Sequence, residues 1–117
     1  MDELVNEAKA LTYEHYCEFA LLKLFDGRLV LVRGGIYGIE FGLVESHVPQ
    51  GTVARTVTIE VEGRTLGVKE LAFHTRPKPT GPSDQDLRTL ELLGQASSRI
   101  YEIFGDRDGT VIRPKKG

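Results

Sequence analysis

The chain has 117 residues, enough for one hydrophobic core and no more. Its 40% apolar and 27% charged residues are ordinary for a globular domain, and a net charge of −2 with a pI near 5.9 argues against a nucleic-acid partner. A single cysteine, Cys17, excludes an internal disulfide. The apolar run Phe19 to Leu22 is too short to span a membrane, and Met1-Asp2-Glu3 lacks the pattern of a secretory signal.

The first element predicted is a helix over residues 2–16. Leu4, Ala8, Leu11 and His15 share one face, with Val5 and Thr12 beside them. Asp2 and Glu3 fall in its first turn, where the helix dipole favours negative charge. The period then changes from helical to extended. Phe19 to Phe25 and Arg28 to Arg33 are apolar runs joined by Asp26-Gly27, a hairpin signal because the tight turn needs positive φ. Ile36 to Val44 and Val53 to Val61 are the next strands expected, with a turn at Pro49-Gln50-Gly51. Thr56 to Val61 alternates polar and apolar, as a strand with one wet face does. Thr65 to Val68 and Leu71 to His74 follow as short strands, and the second delivers His74 to its end.

Three of the five prolines stiffen residues 77–82. A second helix is expected from Ser83 to Ser97, with Leu87, Leu90, Leu93 and Ser97 on its buried side and Ala96 near it. Strands at Ser98 to Phe104 and Thr110 to Arg113 close the chain around a turn at Asp108-Gly109. The order is α-β-β-β-β-β-α-β-β. That reads as α/β (α+β), a mixed, mostly antiparallel sheet with a helix on each side. Residues 1–112 form one domain in this reading, and residues 113–117 form a basic tail, Arg113-Pro114-Lys115-Lys116-Gly117.

Two patterns carry possible chemistry. His74 at a strand end and Asp86 in the first turn of a helix are residue types that suit zinc. Ser83-x-x-Asp86 also has the form of a capping box, in which serine and aspartate satisfy each other's backbone N–H groups. His47 reads as an exposed loop residue and Cys17 as a small buried side chain.

Phe73-His74-Thr75-Arg76-Pro77 followed by Pro82-Ser83-Asp84-Gln85-Asp86 resembles the zinc signature of the JAB/MPN (JAMM) metalloprotease family, His-Ser/Thr-His-Pro then Ser-x-x-Asp, with one ligand replaced. Cys17-Glu18-Phe19-Ala20-Leu21-Leu22, just after the first helix, is similar to the family's glutamate-bearing first strand. The resemblance runs from the first helix through the last strands. It implies an MPN/JAMM-like domain of cytidine-deaminase-like layering, as in the small single-domain archaeal-type members. It also implies a zinc-dependent (iso)peptidase, while the lack of a span or secretory pattern in the sequence reads as cytoplasmic. The substrate implied is the C-terminus of a ubiquitin-like or sulfur-carrier modifier. Partners implied are a second MPN domain or a second copy; the charge and the short apolar runs read above predict no nucleic acid and no membrane.

Carried over by residue, Glu18 matches the general base, His74 and Asp86 the metal ligands, and Ser83 the oxyanion donor. Two departures weigh against the chemistry. Arg76 stands where the second histidine ligand belongs, and a guanidinium has no lone pair to give a metal. The loop between Arg76 and Ser83 has six residues, one fewer than the family's usual loop. Three expectations follow: a zinc peptidase impaired by Arg76, a metal-free binding or assembly module, or an active site with a shifted ligand set drawing on His15 or Cys17. The second predicts that Arg76 forks onto Asp86 or pairs with Glu18.

Overall fold

The computed structural model describes residues 2–35, 38–47 and 53–114, except for the side chains of residues 46, 47, 53 and 54. The chain runs α1 (Asp2–His15), β1 (Phe19–Leu24), β2 (Leu29–Arg33), β3 (Gly42–His47), β4 (Val53–Val61), β5 (Arg64–Arg76), α2 (Asp84–Leu93), β6 (Ser98–Glu102) and β7 (Asp108–Ile112). This is an α+β fold with a mostly antiparallel sheet and two helices. The main path is β2-β1-β5-β4-β3. β6 joins β5 in the one parallel pairing among the described strands, and β7 pairs with β6.

β1 lies between β2 and β5 and is buried on both faces. Period-two alternation therefore sorts its side chains between two cores. Phe19 and Leu21 join Phe73 beneath α1, against Val5 and Ala8. Ala20, Leu22 and Leu24 point the other way, into the larger core with Leu71, Ile100 and Leu90 of α2. His74 is in register with Ala20 and with Ile100, so it shares their face. Glu18 and Arg76 share it too, by the same parity.

Several boundaries differ from the sequence reading. The strand expected at 36–44 begins at Gly42; residues 38–41 pair with no strand, and Ile36 and Tyr37 lie outside the described residues. So does the expected turn at Pro49-Gln50-Gly51. The two short strands at 65–68 and 71–74 are one strand, β5. Its pairing with β1 absorbs two register shifts, so the polar pair Lys69-Glu70 is carried within the strand. The second helix ends at Leu93, not Ser97. Gly94 takes a left-handed φ of 66°, and the N–H groups of Gly94 and Gln95 close on Glu91 and Leu90 carbonyls. Ala96 and Ser97 are exposed beyond it. On α1 the buried stripe is Val5, Ala8 and Thr12, and His15 is exposed.

Candidate functional site

Four residues separated by up to 68 positions in sequence meet where β1, β5 and α2 converge. Glu18 precedes β1. Its backbone N–H donates to Gly35 O and its carbonyl accepts from Gly34 N–H, which fixes its entry to the strand. The side chain is almost fully buried. Gly38 crosses over it, and a Cβ there would sit 3.7 Å from Glu18 Oε2. His74 and Arg76 stand two apart at the end of β5, on one face and both buried. Asp86 arrives from the first turn of α2. Ser83 is the N-cap, its Oγ accepts from Asp86 N–H at 3.2 Å, and Asp86 Oδ2 accepts from Ser83 N–H at 2.8 Å. The capping box is thus present, and it aims one carboxylate at the strand ends.

The donor atoms of Glu18, His74 and Asp86 lie within 4.8 Å of one another, the only such group among the described residues. A Glu/His/Asp set of this kind could hold a metal ion. Here, however, the guanidinium of Arg76 lies between the carboxylates. Nη2 is 3.3 Å from Glu18 Oε2, Nη1 is 3.4 Å from Asp86 Oδ2, and Nη1 also donates to the Gly81 carbonyl. A cation in that position already compensates both acids, so the residues do not fit zinc while Arg76 stays. His74 Nε2 approaches Asp86 Oδ2 at 3.5 Å, too long for a directed hydrogen bond. Both ring nitrogens of His74 and Nε of Arg76 are buried without a hydrogen-bond partner.

Burial dominates the acidity of Glu18 and raises its carboxyl above the usual range, although Arg76 and His74 oppose this. Burial pushes Asp86 the same way, but the His74 ring, the Ser83 N–H and Arg76 outweigh it and pull Asp86 down to about 2. The two acids beside one guanidinium therefore differ sharply.

At the cluster is a cavity of about 10 Å³, walled by Ala20, Leu71, Thr89 and Gln85 along with Glu18, His74 and Asp86, room for one water at most. Beside it an open groove of about 740 Å³ runs along Arg33–Gly35, Gly38–Gly42 and the facing residues Thr58, Ile59 and Glu60. Ile39, Phe41 and Gln85 line both.

Of the residues singled out in the sequence, Glu18, His74, Arg76, Ser83 and Asp86 come together. His15 does not; it is exposed, with Glu14 3.9 Å away. Cys17 is buried in the α1-side core, as expected. Nothing therefore brings a substitute ligand to the cluster from either. The His47 side chain lies outside the described residues. Sequence reasoning missed Glu102 and Gly81, which grip the loop before α2. No spacing rule marks a strand-end glutamate, although the glycine between Thr80 and Pro82 is a turn signal.

Searches against protein-family models, curated proteins and solved structures returned no match.

Proposed function

We propose that this chain is a JAB/MPN-type domain working as a metal-free binding or assembly module, in which Arg76 supplies the positive charge that zinc supplies in the peptidases it resembles. The observation that carries this reading is the guanidinium lying 3.3 and 3.4 Å from the Glu18 and Asp86 carboxylates, in the space a metal would need. Arginine keeps its charge at any physiological pH and its fork matches carboxylates, so it neutralises the acids without an exchangeable ion. It cannot generate a nucleophilic hydroxide, so Glu18 has no metal-bound water to deprotonate. The groove of about 740 Å³ beside the cluster is where an extended tail of a ubiquitin-like or sulfur-carrier protein would lie, added as a strand.

A second reading, the zinc peptidase, draws on His74. Two buried ring nitrogens without a hydrogen bond are unusual in a finished core and fit a ligand waiting for an ion.

Metal analysis after purification with zinc separates the two. The expectation is negligible zinc on this chain and about one per chain on R76H, which restores a third ligand. About one zinc on the unmodified chain, with cleavage of Gly-Lys isopeptides, would replace the first reading by the second.

A further inference from the structure

The cation that fills the pocket is itself held. Arg76 and Glu102 are register partners on the parallel strands β5 and β6, so their side chains emerge side by side. They do not pair with each other. Both close on Gly81: Arg76 Nη1 donates to its carbonyl, and its N–H donates to Glu102 Oε2 at 2.7 Å. The Glu102 side chain is 0% exposed. Its charge is compensated by Arg107, whose Nη1 lies 3.3 Å from each carboxylate oxygen and whose backbone N–H donates at 3.3 Å. Gly81 has a φ of +70°, and a Cβ there would come within 3.0 Å of the Arg107 guanidinium carbon. Only glycine fits that place without strain.

We propose that Glu102 is a positioning residue for Arg76. Through Gly81 it locks the guanidinium into the pocket of Glu18, His74 and Asp86 and so keeps divalent cations out. The inference rests on the reading that Arg76 fills the site. A buried carboxylate on the N–H side of Gly81 fixes the carbonyl that Arg76 needs, and Arg107 holds that carboxylate in place. Without the lock, Arg76 retains only two contacts at 3.3–3.4 Å, long for charge-assisted hydrogen bonds. A released guanidinium exposes the three-donor set to a competing ion.

The test is a cobalt(II) titration followed by the visible absorption of the bound ion, with circular dichroism as the check of folding. E102Q, whose single amide oxygen cannot serve both the Gly81 N–H and the Arg107 N–H, and G81A are each expected to bind cobalt at least about tenfold tighter than the unmodified chain, a change of the size that loss of one buried hydrogen bond produces. In the R76H background E102Q should alter cobalt affinity by less than about threefold, because Glu102 then has no arginine to position. Equal affinity of folded E102Q and the unmodified chain overturns the proposal. So does an E102Q effect that persists in full in R76H, which would mean that Glu102 places Asp86 instead. If E102Q does not fold, G81A decides by the same comparison. Tight cobalt binding by the unmodified chain would count against the filled pocket itself, while the ratio between variant and parent still judges the lock.

Discussion

Arg76 sits between two acids whose protonation runs in opposite directions, and this makes their replacement unequal. Asp86 has its carboxyl depressed from 3.8 to about 2, so its contribution is present above 3.8 and lost as the pH falls through about 2. A displacement of that size corresponds to about 2 kcal/mol. D86N is expected to cost about 2 kcal/mol at pH 7, and the gap to the parent should narrow below pH 3.8 and close past about 2. Glu18 is raised, so its contribution is present below its unfolded value of 4.5 and is lost as the pH rises through the folded one. E18Q, a mimic of the neutral acid, should therefore be tolerated at pH 7 and improve relative to the parent as the pH rises from 4. Urea unfolding of the three proteins from pH 7 down to 2 measures both trends. Equal pH dependence of D86N and E18Q would contradict the arrangement. Removing the cation is the severe change. R76M takes the nearest cation from the buried Glu18 carboxylate and leaves Asp86 only the Ser83 N–H and the His74 ring; it should cost about 3 kcal/mol, and clearly less in an E18Q background, where the Glu18 charge is already gone.

At the scale of elements, α2 is the part of the site most exposed to a single change. Its N-cap serine and N3 aspartate hold each other, and Gly94 stops it after ten residues. S83A is expected to lower stability by about 1 kcal/mol, and S83T to keep most of it, both read from urea midpoints. No loss in S83A would mean that the cap does not anchor Asp86. Ser83-x-x-Asp86 was legible in the sequence because a capping box is local chemistry at fixed spacing. The helix end was not, because Leu93 and Ala96 keep an apolar rhythm past the glycine and only the backbone conformation of Gly94 breaks it. β5 was hidden for a different reason. Lys69-Glu70 looks like a break, and the strand continues through it only because β1 shifts register to match. The short signature His74-Thr75-Arg76-Pro77 singled out residues that the fold brings together with Glu18 and Asp86, and the strand-end parity placed His74 and Arg76 on one face. That Arg76 would reach both acids and Gly81 at once needed the third dimension. Glu102 is 21 residues from the glycine it holds.

On the scale of the whole molecule, the sheet separates two cores, and every candidate site residue belongs to one side. Glu18, His74, Arg76 and Glu102 follow the parity of Ala20 and Ile100, and Asp86 rides on α2, one helical turn before the fully buried Leu90. The opposite face holds Val5, Ala8, Leu21 and Phe73 under α1, together with the buried Thr12–Thr75 hydroxyl contact. A cavity cut on either side removes stabilising contacts, but only one side carries a donor on its helix. L90A and F73A should each cost about 3–4 kcal/mol, since both side chains are buried. Their effect on the site should differ. In the R76H background, L90A lets α2 shift and is expected to weaken cobalt binding about tenfold, whereas F73A should leave it within about threefold. Equal weakening by both variants would show that the sheet transmits packing strain between its faces. Equal indifference would show that the cap and the loop before it, not the core beneath α2, fix Asp86.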